Sequence, residues 1–85
     1  AYAVAKTALL ILTRSAAASE LKSGITVNMV SPGLIEGGIM PAGGKVPAEL
    51  FGSKLDVAEA VNFLASDRAG HISGTNLVVA GTWKM

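Results

Sequence analysis

Two residues at the start of the chain are of types that can move a proton together. Tyr2 and Lys6 lie at positions i and i+4 in Tyr2-Ala3-Val4-Ala5-Lys6, and on a helix such residues are neighbours on one face. A phenol of reference pKa about 10 is a poor proton donor at neutral pH, but a nearby cation stabilises the phenolate and lowers that pKa. Placed in this way, Tyr2 could serve as general acid to a carbonyl oxygen. Two amphipathic residues on an ordinary helix would show the same spacing, so the pair alone leaves both readings open.

Other chemistry is easier to exclude. The chain has no cysteine and a single histidine, so it offers neither a disulfide framework nor a metal site of the thiolate or multi-histidine kind. His71 falls in a turn before Gly74 and reads as a solvated loop or interface residue. Ser15, Ser31 and Ser73 lack a Gly-x-Ser-x-Gly elbow, which argues against a hydrolase triad. Seven basic and six acidic residues leave a formal charge of +1, and no Lys/Arg stripe is present to neutralise a row of phosphates. No nucleic-acid partner is expected. The longest apolar run, Ala8 to Leu12, is far short of the roughly 20 residues of a membrane span. The chain reads as soluble with no membrane partner, and a reducing, cytoplasmic location is compatible with its lack of cysteine.

The elements that must position Tyr2 and Lys6 follow from pattern. Tyr2 to about Lys22 is rich in Ala, Leu and Lys and is followed by Gly24, a left-handed stop, which predicts a long helix. Its apolar residues occur all around the wheel, as in a helix packed on more than one side. Ile25 to Val30 is rich in β-branched residues and predicts a strand ending before Pro32-Gly33. The stretch from Gly33 to Gly52 holds six of the ten glycines plus Pro41 and Pro47, which predicts a long loop, with a short helical turn near Ala48 and mobility from Gly37 to Gly44. Ser53 with Asp56 forms a capping signal for a second helix ending near Ser66-Asp67. Thr75 to Ala80 predicts a second strand, and Gly81 to Met85 a tail.

Helix, strand, loop, helix, strand is the alternation of α/β folds with parallel sheets. With 51% apolar residues, 15% charged residues and a mean hydropathy of +0.51, the chain is apolar enough to be buried against something else. Strands as apolar as Ile25–Val30 and Leu77–Ala80 belong in a sheet covered on both faces and paired on a further edge. Residues 1–85 are therefore expected to be the carboxyl-terminal portion of a larger doubly wound, Rossmann-like α/β domain. The chain opens in mid-helix at Ala1-Tyr2-Ala3, which fits a start upstream of it.

Several motifs, taken in order, resemble the short-chain dehydrogenase/reductase family. They are Tyr2-Ala3-Val4-Ala5-Lys6 continued by Thr7-Ala8-Leu9, then Gly24-Ile25-Thr26-Val27-Asn28, and Ser31-Pro32-Gly33-Leu34-Ile35. Asp56-Val57-Ala58 leading to Phe63-Leu64-Ala65-Ser66-Asp67 and Ile72-Ser73-Gly74-Thr75-Asn76-Leu77-Val78-Val79 complete the resemblance. It spans nearly the whole chain, and the motifs are specific jointly rather than singly.

That resemblance implies a hydride-transferring oxidoreductase using NAD or NADP on a small carbonyl or alcohol substrate. Tyr2 would be the catalytic acid/base, and Lys6 would assist it and hold the nicotinamide ribose hydroxyls. Pro32, Gly33 and Ile35 would sit by the nicotinamide, as the general rule for ligands at the carboxyl ends of strands in open α/β sheets suggests. The loop after Ile35 would close over substrate. Gly37 stands where the family usually carries a threonine, and the last strand runs into Ala80-Gly81-Thr82 where Asp-Gly-Gly is common. The phosphate loop and the remaining catalytic residues would lie in an upstream half. The resemblance further implies a homo-oligomer, a dimer or a homotetramer, built from the Tyr2 helix and the last helix and strand; Trp83 and Met85 are expected to pack against the fold or a sister subunit. The rival reading is a non-catalytic fragment or interaction module that keeps the family's packing motifs.

Overall fold

A run of good helix formers with no proline turns Tyr2–Ser19 into the first helix, α1. The computed structural model describes residues 1–36 and 50–81. After α1 the chain tightens into a 3₁₀ turn, Leu21–Ser23, and leaves it through Gly24 at φ 71°, the left-handed stop the sequence predicts. The helix is shorter than expected because its last turn changes type rather than direction.

The first strand, β1, spans Met29–Pro32 and not Ile25–Val30, a correction with a local cause. Residues Val27 and Asn28 are committed to the segment before the second strand. The Val27 amide donates to Ser73 Oγ at 3.1 Å, and Gly74 N–H donates to the Val27 carbonyl at 2.8 Å. Asn28 Nδ2 donates to the Ile72 carbonyl at 3.0 Å, while Asn28 Oδ1 accepts from Thr75 N–H at 3.1 Å. Side-chain bonds thus replace ladder bonds until Met29. At the other end Pro32 stays in the strand. Met29 and Gly33 donate their amides to the Thr75 and Val79 carbonyls at 2.9 and 3.0 Å, and alternation turns the Pro32 nitrogen to the opposite edge, away from the paired strand.

Ser53 caps the second helix, α2, Lys54–Leu64. Its Oγ accepts from Asp56 N–H at 3.2 Å, and the Asp56 carboxylate accepts from Ser53 N–H at 2.8 Å, a complete capping box. The helix stops earlier than expected, since Asp67–Ala69 forms its own 3₁₀ turn. The second strand, β2, is Asn76–Val79, within a residue of expectation at each end.

The two strands pair in parallel, Met29 with Asn76 through Pro32 with Val79. Side chains alternate across such a sheet. Met29, Ser31, Asn76 and Val78 therefore share the face that lines a cavity with α1. Val30 lines a space with Val61 and Leu64 of α2 on the opposite face, so the two helices lie on opposite sides of the sheet. Thr13 and Ala17 in the tail of α1 are buried, and Ala17 lies beside Gly74 in the turn before the second strand.

Burial elsewhere is thin. Among the described residues the buried apolar side chains are Ala17, Met29, Leu34, Ala69 and Ala80, and no large side chain is fully enclosed. Val4, Ile11, Leu12 and Leu21 stand 60–74% exposed, an apolar excess that a solvated surface seldom carries. No helix among the described residues is long and apolar enough to cross a membrane. The expectations for a turn near Ala48, for mobility from Gly37 to Gly44, for Gly37 itself, and for Trp83 and Met85 fall outside the described residues.

Candidate active site

Tyr2 and Lys6 occupy the first two turns of α1, where the helix period places them on one face. The Lys6 Nζ lies 5.7 Å from the centroid of the Tyr2 ring, within range of a cation–π attraction. Tyr2 is 69% exposed and Lys6 half-buried, so the phenol is reachable. Thr7 next to them returns its hydroxyl to the Ala3 carbonyl at 2.8 Å.

A cavity of about 360 Å³ opens between this helix end and the sheet. From α1 it is lined by Tyr2, Ala3, Lys6, Thr7 and Leu10, and from the sheet by Met29, Ser31, Asn76 and Val78. Its floor is polar at one point. Ser31 Oγ donates to Asn76 Oδ1 at 2.6 Å, and Ser31 is 3% exposed. Sequence reasoning met Ser31 and Asn76 only as members of family-like motifs, and Ser31 as a non-nucleophile, and gave neither a role in the site. Alternation in Met29-Val30-Ser31 and Asn76-Leu77-Val78 puts each on one face of its strand, but the register that brings the two together comes from the structure.

Pro32, Gly33 and Ile35 are placed differently. They follow the carboxyl end of β1 and do not line the cavity of Tyr2 and Lys6. Gly33 still bonds to Val79, and Ile35 forms an isolated parallel bridge with Gly52. In that bridge Glu36 N–H donates to the Gly52 carbonyl at 3.0 Å and Gly52 N–H donates to the Leu34 carbonyl at 2.7 Å. The chain that leaves β1 is thereby tied to the chain that enters α2. A larger space of about 550 Å³ lies beside this tie, between Leu34, Phe51, Ala60 and Leu77.

The donor set suits one end of a dinucleotide. A phenol and an ammonium side by side are donors for ribose hydroxyls, and they open on a cavity rather than on a packed core. For a pyrophosphate the described residues hold no glycine-rich strand-to-helix turn. No group of three or more metal-binding side chains occurs among the described residues, and His71 is exposed.

Over residues 1–82 the chain matches the family model described as Enoyl-(Acyl carrier protein) reductase. It is 40% identical over 92 residues to the 3-oxoacyl-(acyl-carrier-protein) reductase FabG of Haemophilus influenzae, covering 94% of this chain and 37% of that protein. Among solved structures, a blue fluorescent protein from a metagenomic library in complex with NADPH superposes with a TM-score of 0.83 at 36% identity, over 99% of this chain and 37% of the other. Acetoin dehydrogenase YohF from Salmonella typhimurium superposes with a TM-score of 0.79 at 37% identity, over 94% and 34%. The chain belongs to the short-chain dehydrogenase/reductase family. Its fold is the α/β, Rossmann-like one of these structures, and it spans 37% of the length of the H. influenzae relative.

Proposed function

We propose that this chain is the carboxyl-terminal segment of a nicotinamide-dependent oxidoreductase in which Tyr2 is the acid/base and Lys6 its partner. The observation that carries the reading is the Lys6 ammonium 5.7 Å from the Tyr2 ring, with both residues opening on one cavity. NAD or NADP supplies or accepts the hydride when bound. Lys6 donates to the ribose hydroxyls and keeps a positive charge beside the phenol. Tyr2 gives its hydroxyl proton to the carbonyl oxygen as the carbon is reduced to an alcohol, and takes it back in the reverse direction. Pro32, Gly33 and Ile35 hold the nicotinamide end from the strand exit.

The upstream half of the same domain brings the phosphate loop and the remaining catalytic groups. The relative named as a 3-oxoacyl-(acyl-carrier-protein) reductase and the neighbour bound to NADPH favour a carbonyl substrate, and a 3-oxoacyl thioester is the first to try. The exposed apolar side chains of α1 suit a homodimer or homotetramer, and the enzyme works in the cytoplasm.

Those same exposed faces favour a second reading for the chain by itself, a non-catalytic module that keeps the family's packing surfaces. The two readings separate on what precedes Ala1. A glycine-rich strand-turn-helix start there supports the enzyme. The direct test is Tyr2→Phe in the protein with its upstream half, with turnover measured beside cofactor titration.

A further inference from the structure

Ser31 is the most enclosed polar side chain among the described residues, at 3% exposure. A buried hydroxyl must be bonded, and this one donates to Asn76 Oδ1 at 2.6 Å, short even for an O–H···O contact. Ser31 is in register with Val78, and Asn76 with Met29. The bond therefore crosses diagonally from one strand to the other on the face turned toward Tyr2 and Lys6.

Pairing does not require it. Backbone bonds already join the strands at Met29 and Gly33. A diagonal side-chain tie between neighbouring strands restricts their local twist beyond what the ladder fixes. Ser31 immediately precedes Pro32-Gly33, so the twist at Ser31 sets where that corner points. Asn76 and Ser31 also line the cavity shared with Tyr2 and Lys6, which makes this bond the polar link between the strand exit and the floor beneath the pair.

We propose that Ser31, held by Asn76, is a positioning residue for the hydride-transfer reaction, fixing the Pro32-Gly33 corner relative to Tyr2 and Lys6. The proposal rests on the function given above. It acts on the nicotinamide end through the corner and leaves the proton on Tyr2 untouched. Displacements of about 1 Å at such a corner are enough to cost large factors in rate or affinity.

The test uses the protein with its upstream half. Ser31→Ala should weaken NADH or NADPH binding by about tenfold through the displaced corner, raise the cofactor KM in parallel, and change kcat by less than about threefold. Ser31→Thr keeps the hydroxyl and should stay within about twofold of wild type on all three. Ser31→Ala also orphans the Asn76 carbonyl, so the double variant Ser31→Ala/Asn76→Leu is needed to remove both polar groups. That variant should regain thermal stability while cofactor binding stays weak. Wild-type cofactor affinity in Ser31→Ala would overturn the proposal, as would affinity that recovers together with stability in the double variant. Tyr2→Phe distinguishes this from a failure of the functional reading, because it tests turnover without touching the corner.

Discussion

The Lys6 ammonium stands over the Tyr2 ring at 5.7 Å from its centroid, one helical turn along the same face of α1. Under the proposed function Lys6 has two jobs at once, a charge beside the phenol and a donor toward the ribose. Lys6→Ala in the complete enzyme should lower kcat and raise the cofactor KM together, with kcat/KM for the carbonyl substrate falling about 10²- to 10⁴-fold. Steady-state kinetics over a range of cofactor concentration checks it. A change in only one of the two parameters would assign Lys6 a single role.

Gly74 sits at φ 77°, and a Cβ built on it would lie 3.5 Å from the Ala17 Cβ. This is where the tail of α1 meets the turn before β2. Gly24, at φ 71°, has open space around it. Alanine at either site incurs the left-handed penalty of about 1–2 kcal/mol, and the added methyl at Gly74 makes only ordinary van der Waals contact with Ala17. Gly74→Ala and Gly24→Ala should therefore each destabilise by about 1–2 kcal/mol, read as a lower urea midpoint at unchanged slope.

The Ser53–Asp56 capping box closes the start of α2. Ser53→Ala should destabilise the complete protein by about 1 kcal/mol, measured by equilibrium unfolding, without changing turnover.

Much of this was readable in the chain. Helix α1 and its Gly24 exit, the cap at Ser53 and the second strand all rest on local rules, which is why they came out within a few residues. The first strand was misread by four residues at its start and two at its end. Ile25-Thr26-Val27-Asn28 has strand composition, but the Asn28 side chain binds the Ile72 carbonyl and the Ser73 hydroxyl accepts from the Val27 amide, across separations of more than 40 residues, and no local pattern reports that. The Tyr2–Lys6 face followed from helix period alone. Ser31 and Asn76 did not, since their bond depends on the register of two strands distant in sequence.

The 85-residue chain on its own should neither unfold cooperatively as a soluble monomer nor bind a dinucleotide usefully. Two strands with open outer edges among the described residues and apolar side chains such as Val4 at 73% exposure invite pairing with other chains. The pyrophosphate would also lack its usual helix amino terminus. Thermal unfolding, solution mass and titration with NADH and NADPH check this. A sharp transition with micromolar binding would contradict it.

The claim that Tyr2 is the proton-transfer residue is tested most directly by Tyr2→Phe in the protein carrying its upstream half. The ring and its packing remain, and only the transferable proton is lost. Turnover should fall by at least about 10²-fold while NADH or NADPH binds within a few-fold of wild type. Turnover within a few-fold of wild type would contradict the assignment.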